Sequence, residues 1–520
     1  MSDTTIVYLV LAAVVVVFML DRLPVAVVAV GTALSLWATG VLTLDQALAG
    51  FGDPTTLFIA ALFVVAEALD ATGITGWVGQ QLTARSGSSL PRMLVLTMLV
   101  SALLTVVLTP NGAVAALVPA VAVLAVRTHR SPSRILMPLA FASMAGSMLT
   151  LTASPVNVIV SNAADDAGVG TFGFFEFALV GVPLLAGTIA IVLLVGGRLL
   201  PTRTPKTVKR DFSQHARTLV EQYGLDSDPG ALFTRRYGKA EVVIPPRSGL
   251  IGEVAFPGMV TESGDLVVVA IQRQEEVRAG ETTLQAGDTL LLRGSWGDLD
   301  HHMGDPDVIA VDDPDAVRRQ AVPLGPGAGR SVGILVAMIV LLAFGALPAA
   351  VAGLLAAGSI VVLRVLSIEQ AYHGIQWTTV ILIGGMIPLS TAMAQTGAAE
   401  HLADGLLDVV GDLGPRALLA GLVIIIFVLG QLISNTATVL VVIPIALSAA
   451  AELDVSTKPV LMTVCVASGA AFLTPIATPA NIMVMEPGGY RFGDYWKLGL
   501  PLMGLYAIVA VFVVPLIWSF

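Results

Sequence analysis

Two short polar runs stand inside long apolar stretches of this 520-residue chain: Thr109-Pro110-Asn111-Gly112 and Ser434-Asn435-Thr436. A second polar run follows each, about 40 residues on. The first contains Thr150, Thr152, Ser154, Pro155 and Asn157; the second contains Thr474, Thr478, Pro479 and Asn481. A shift of 324 places Asn111 on Asn435, Thr150 on Thr474, Ser154 on Thr478 and Asn157 on Asn481. Apolar matches arise easily by chance in so oily a chain, whereas repeated polar positions mark an internal repeat. Hydroxyls and amides without a nearby acid, base or nucleophile can hold a solute but cannot do bond chemistry. A buried polar group left unpartnered costs a few kcal/mol, so something at that depth must satisfy these groups.

Pro110 and Gly112 interrupt a helix, and Asn111 sits in the interruption between two short apolar arms. Open backbone at membrane depth is tolerated only where protein covers it or a cavity adjoins it. The pattern therefore predicts a re-entrant hairpin with a polar tip, followed by a helix broken between Thr150 and Pro155. Broken helices expose N–H groups at one end and carbonyls at the other. Transporters use the first for anionic solutes and the second for sodium or protons.

The elements that must position these residues follow from composition. Hydrophobic residues make up 56% of the chain and charged ones only 12%, against about 25% charged in ordinary soluble domains. Apolar runs recur from residue 6 to residue 517, and a span needs about 20 helical residues. The reading is an all-α polytopic membrane protein with the bilayer as partner. The net charge of −10 comes without a basic stripe, which argues against nucleic acid as a partner. Cys465, the sole cysteine, excludes internal disulfides and reads as a small packing residue. The acidic tip MSDTT and the apolar span soon after argue for a retained first helix rather than a cleaved leader.

Hydropathy collapses between about residues 201 and 330, where short β-rich runs alternate with Gly, Pro and Asp turns. This divides the chain into a membrane repeat (1–200), a linker with a small soluble α/β domain (201–330, core about 238–312) and a second repeat (331–520). Each repeat is counted as five crossings plus one hairpin, an odd number, so the second copy is inverted. Arg198, Arg203, Lys206, Lys209 and Arg210 flank the soluble block, which the positive-inside rule puts in the cytoplasm. Arg85, Arg92, Arg127, Arg130 and Arg134 surround the first hairpin's base. Acids surround the second: Glu400, Asp404, Asp408, Asp412, Glu452 and Asp454 against Arg416 and Lys458. Glu67 is a secondary candidate for ion coupling; Asp70 reads as interfacial, Asp53 and Glu176 as helix starts, and the pair His301-His302 as a weak metal candidate.

Two resemblances follow from these motifs. VVIPPRSGLIGEV with LQAGDTLLLRGSWGDLD is similar to the TrkA-C domain, the C-terminal half of RCK potassium-conductance regulators. That implies a dimerising module or a sensor of a small regulatory ligand. No G-x-G-x-x-G follows a strand, so no dinucleotide or other cofactor is expected. SNTAT with TPIATPAN resembles the divalent anion/sodium symporter family of the ion transporter superfamily, the dicarboxylate and sulfate transporters. The resemblance implies a homodimer in the cell membrane, working by an elevator motion, that carries a dicarboxylate, citrate or sulfate with sodium. It implies substrate and cation contacts at Thr109, Asn111, Gly112, Ser434, Asn435 and Thr436, with sodium near Asn111 and Asn435. The facing candidates are Thr150, Thr152, Ser154, Asn157, Thr474, Thr478 and Asn481. The first tip departs from the motif: Pro110 stands where it has Ser and Gly112 where it has Thr, so two hydroxyls are absent. A sodium/proton antiporter or arsenite-type carrier is the alternative within the superfamily, and would call for a titrating Asp at these motifs. An RCK-regulated ion channel would call for a filter like T-V-G-Y-G, which the chain lacks. No catalytic cluster argues for an enzyme.

Overall fold

The computed structural model describes residues 2–20, 22–85, 89–128, 130–203, 237–261, 263–274, 276–278, 280–311, 325, 327–410 and 413–520. Lys206, Lys209, Arg210 and Asp412 lie outside the described residues. By contacts the chain forms two compact units. One comprises residues 1–68, 82–208 and 332–520; the other comprises residues 69–81 and 209–331.

The larger unit is helical. The first helices in chain order are α1 (Asp3–Leu20), α2 (Val25–Ala38), α3 (Leu44–Leu48), α4 (Pro54–Ala71), α5 (Ile74–Arg85), α6 (Leu90–Val107), α7 (Pro110–Arg127), α8 (Leu136–Gly146), α9 (Pro155–Asp166) and α10 (Ala178–Leu199); the end of α4 and residues 74–81 of α5 fall in the smaller unit. Six helical stretches among the described residues are long and apolar enough to cross a membrane, beginning at Leu44, Leu90, Ala178, Trp377, Asn435 and Phe492.

In the smaller unit, β1 (Tyr237–Val243), β3 (Val267–Arg273), β4 (Glu276–Arg278), β6 (Thr289–Ser295) and β7 (Ile309–Ala310) form one antiparallel sheet in the order β4-β3-β6-β1-β7. β2 (Val254–Ala255) pairs with β5 (Thr282–Thr283), and α11 (Trp296–Met303) packs on β1 and β6. β3 and β6 bury Val268, Ala270, Ile271, Leu290, Leu291 and Leu292 with Val242, Trp296 and Leu299. Buried Asp288 is held by Arg273 (2.6 Å at both contacts) and by the Gln285 N–H (2.8 Å). Burial works to raise this carboxyl, but those bonds and the Arg273 and Arg278 charges hold it below the usual carboxylate range. His302 Nε2 lies 3.6 Å from Asp265 in this unit.

The later helices are α12 (Ala328–Ala343), α13 (Ala349–Val362), α14 (Ile368–Gly374), α15 (Trp377–Gln395), α16 (Ala398–Val410), α17 (Pro415–Leu429), α18 (Asn435–Glu452), α19 (Thr457–Ser468), α20 (Pro479–Gly488), α21 (Tyr495–Ile508) and α22 (Val514–Ile517). The shift that aligns the polar residues also aligns elements. It carries α2 onto α13, and the 3-10 turn Leu151–Ala153 onto Pro475–Ala477, residue for residue.

Packing repeats the correspondence across the two halves of the chain. α7 packs on α20, and its counterpart α18 packs on α9; α8 packs on α20, and its counterpart α19 packs on α9. A further pair of close approaches, by α10 and α21, depends on two glycines. A Cβ on Gly181 of α10 would lie 2.1 Å from the Met148 carbonyl, and one on Gly499 of α21 would lie 2.4 Å from the Phe472 carbonyl. Met148 and Phe472 are again 324 apart. Only residues without a side chain let these helices rest on the backbone of the broken segments.

A candidate solute site between four helix starts

The helices stop where the sequence interrupts them. α6 ends at Leu108, which is extended (φ −107°, ψ 172°) two residues before Pro110 opens α7. α17 ends at Gly430, and α18 starts after Ser434. The two later breaks share one backbone path. Thr150, Ser154, Thr474 and Thr478 all have φ between −131° and −148° and ψ between 142° and 160°. Proline then opens α9 and α20 at Pro155 and Pro479, where its missing N–H costs no hydrogen bond.

Each of the four helices that follow a break has a hydroxyl residue before its first turn. Thr109 accepts from the Gly112 N–H (3.3 Å), Ser154 from Val156 (3.3 Å), Ser434 from Ala437 (3.3 Å) and Thr478 from Asn481 (3.4 Å). All four line a single cavity of about 590 Å³. Thus α7, α9, α18 and α20 all start at this space. Ser147 and Met148, just past α8, line it too, as do Ser468 and Gly469 at the end of α19. The wall brings N–H ends and carbonyl ends together, and among the described residues no Asp, Glu, Lys, Arg or His lines it.

Two asparagines, Asn157 on the wall and Asn481 off it, bond the breaks in the same way. Asn157 Nδ2 donates to the Ser147 and Thr150 carbonyls (2.7 and 2.8 Å). Asn481 Nδ2 donates to those of Ala471 and Thr474 (2.9 and 3.0 Å). Their oxygens differ. Asn157 Oδ1 accepts from the Cys465 thiol (3.3 Å), while Asn481 Oδ1 is buried with no partner. The residue 324 before Cys465 is Phe141, which has nothing to donate. The tip asparagines differ likewise. Asn111 Oδ1 accepts from the Ala480 N–H (3.2 Å), and Asn435 Oδ1 is buried without a partner.

Residues 15–440 and 411–520 match the citrate transporter family (CitMHS). The chain belongs to that family. An uncharacterized transporter of Escherichia coli K12 is 30% identical to it, with 98% of each chain covered. An uncharacterized transporter of Synechocystis is 25% identical over 97% of this chain and 95% of its own. Sodium/sulfate cotransporter 2 of Chlamydomonas reinhardtii is 25% identical over 57% of this chain and 34% of its own length. The protein is therefore a transporter and not an enzyme, and with its apolar helices an integral membrane protein.

Of the residues singled out in the sequence of this family member, Thr109, Asn111, Ser154, Asn157, Ser434, Asn435, Thr436 and Thr478 line the cavity. Gly112, Thr150, Thr152, Thr474 and Asn481 are not on its wall. Thr150 and Thr474 carry buried hydroxyls without partners. Glu67 is off the wall as well; its stem packs where a Cβ on Gly374 would go. Asp53 accepts from the Thr55 N–H (2.7 Å) at the start of α4, and Glu176 from the Gly173 N–H (2.7 Å) just before α10.

Sequence reasoning passed over three features. Cys465, read as packing, lines the wall and bonds Asn157. Gln431 bridges the second pair of breaks, accepting from the Leu473 N–H (3.1 Å) and donating to the Ala470 carbonyl (3.4 Å). Its signal was legible as an amide at the end of an apolar helix. Finally, the wall extends over Ile375, Gln376, Trp377, Thr378 and Thr379, at the start of α15. The equivalent start of α4 is off the wall, and there Thr55 is buried and accepts from Asn162 Nδ2 (2.6 Å).

Proposed function

We propose that the protein is a secondary active symporter of a small divalent anion, a dicarboxylate, citrate or sulfate, driven by sodium. The observation that carries this is the meeting of four capped helix starts at one cavity free of charged side chains. Each helix start favours negative charge by about 0.3–1 kcal/mol when exposed and up to about 2 when partly buried. Four together come close at best to the about 8 kcal/mol of a micromolar complex, and dehydrating a dianion works against them. A co-bound cation supplies the missing attraction. The relatives named sodium/sulfate cotransporters support sodium as that ion. The residues suit it: partnerless oxygens on Asn435, Thr474 and Asn481 lie on the segments that Gln431 ties together. A bound sodium ion adds positive charge beside the anion, while the protein's own hydroxyls and N–H groups orient the solute.

In this reading the halves are inverted repeats, each with a re-entrant hairpin (α6–α7, α17–α18) and a broken helix (α8–α9, α19–α20). They ride as one body in an elevator motion within a homodimer of the cell membrane. The arginines around the first hairpin's base and the carboxylates around the second support opposite orientation, with the soluble unit in the cytoplasm. That unit acts as a TrkA-C-like dimerising or ligand-sensing module. The lack of a carboxylate on the wall favours symport over proton antiport.

The test is uptake of labelled sulfate, succinate and citrate by the purified protein in liposomes. We expect one of them to accumulate under an inward sodium gradient and to stop doing so when the gradient is collapsed. Uptake of none, or equal uptake with potassium replacing sodium, would overturn the proposal.

A further inference from the structure

We infer that the two halves do not bind cations equally, and that the protein has a single sodium site, at the second pair of breaks. The inference rests on the sodium-coupled reading above and deepens it. Under the shift of 324, each asparagine oxygen near the second breaks has a counterpart near the first. In the first half both oxygens are already taken by the protein's own donors: the Ala480 N–H at Asn111 and the Cys465 thiol at Asn157. In the second half both are buried and unpartnered, and Asn481 is completely buried. A buried amide oxygen without a donor is costly, and a cation relieves that cost as well as a donor does.

Two further differences point the same way. Thr436 supplies a hydroxyl at the second tip, and its counterpart Gly112 supplies none. Gln431 fastens the second tip to the Ala470–Leu473 segment, where its counterpart is Val107. Among the described residues at the first breaks the Thr150 hydroxyl does stay free, but a lone hydroxyl cannot replace a cation's hydration shell. The Cys465 thiol thus occupies the Asn157 oxygen that would otherwise be open to a second ion.

The experiment uses the full-length protein in detergent, with sodium replacing choline at constant ionic strength. Thermal unfolding is followed, since an ion that binds only the folded state raises the midpoint according to its saturation. A single-site dependence is expected. Thr474→Val should raise the half-saturating sodium concentration at least tenfold, and Thr150→Val should change it less than twofold. Asn435→Ala gives a second reading of the same site if Thr474→Val fails to fold. A two-site dependence, or equal shifts from Thr150→Val and Thr474→Val, overturns this inference and leaves the symporter proposal standing. A midpoint indifferent to sodium, in a protein that still takes up the anion, overturns the sodium reading itself.

Discussion

The two helix interruptions at the tips, Thr109–Gly112 and Gly430–Thr436, come from the same pattern yet are finished differently. The first is closed by the protein: its asparagine oxygen caps the start of α20. The second keeps its asparagine oxygen uncommitted inside the wall. The starts of α15 and α4 show the same contrast. The start of α15 lines the cavity, whereas the matching start of α4 is pinned to α9 by the Asn162–Thr55 bond. Elements that match under one shift therefore need not carry the same chemistry. Backbone geometry survives because helix caps and prolines specify it locally. The pairing of the oxygens diverges because it depends on which donors the rest of the fold brings near each one.

The comparison can be broken most directly at the tip asparagines. Asn435→Ala should lower sodium-driven uptake by at least a hundredfold with little change in thermal stability, because no protein donor loses its partner. Asn111→Ala should also abolish uptake, but with a stability loss of about 1–3 kcal/mol from the stranded Ala480 N–H. Uptake rates and unfolding midpoints of the two variants, measured side by side, separate them; equal destabilisation would erase the distinction.

The glycines test what the halves share. Gly181→Ala and Gly499→Ala should each destabilise the protein by about 1–3 kcal/mol through overpacking against a carbonyl, read as a lower midpoint and a smaller monodisperse yield. A harmless result in only one of them would show that the close approach is not common to both halves.

A third difference lies at the ends of the broken helices. Ser133 precedes α8; its hydroxyl donates to the Pro201 carbonyl, and its carbonyl accepts from the Tyr490 hydroxyl (2.7 and 2.5 Å). Beside it Arg203 pairs with the buried Asp494 (2.5 Å). The counterpart of Ser133 is Thr457, whose hydroxyl is buried and unpartnered. Asp494→Asn should cost roughly 1–3 kcal/mol, less than the cost of breaking a fully buried pair because Arg203 is about a third exposed. The check is the unfolding midpoint of Asp494→Asn against that of an Arg203→Gln, Asp494→Asn double variant, which removes the stranded charge.

The smallest effect expected is one of pH, and it belongs to the sheet unit rather than to the uncharged cavity wall. Asp288 has a folded pKa below its unfolded value, so its stabilisation is complete above the ordinary carboxylate range, near 4. It is lost as pH falls through the folded value. Hydrogen exchange over residues 282–295 in the full chain should be unchanged from pH 7 to about 5 and accelerate, after correction for the intrinsic rate, below about 4. Asp288→Asn should flatten that acid limb.

Much of this was legible in the residues themselves. Apolar length marks the spans, because a helix must satisfy its own backbone in lipid. Pro110, Pro155 and Pro479 mark the interruptions, because a ring nitrogen has no proton to give and disfavours helix in the residue before it. Thr109, Ser154, Ser434 and Thr478 mark the helix starts, because their short hydroxyls reach N–H groups two or three residues ahead. These are local effects and can be read locally.

What the chain order could not reveal is which partner each polar atom meets. Cys465 lies 308 residues from Asn157, and Ala480 lies 369 residues from Asn111. Nothing about a cysteine or an alanine N–H distinguishes it before folding brings it there. Composition and periodicity settled where the helices break and which polar residues recur. Only the packing of one half against the other decided which oxygens are spent inside the protein and which stay unpartnered, because hydrogen bonds are made between neighbours in space.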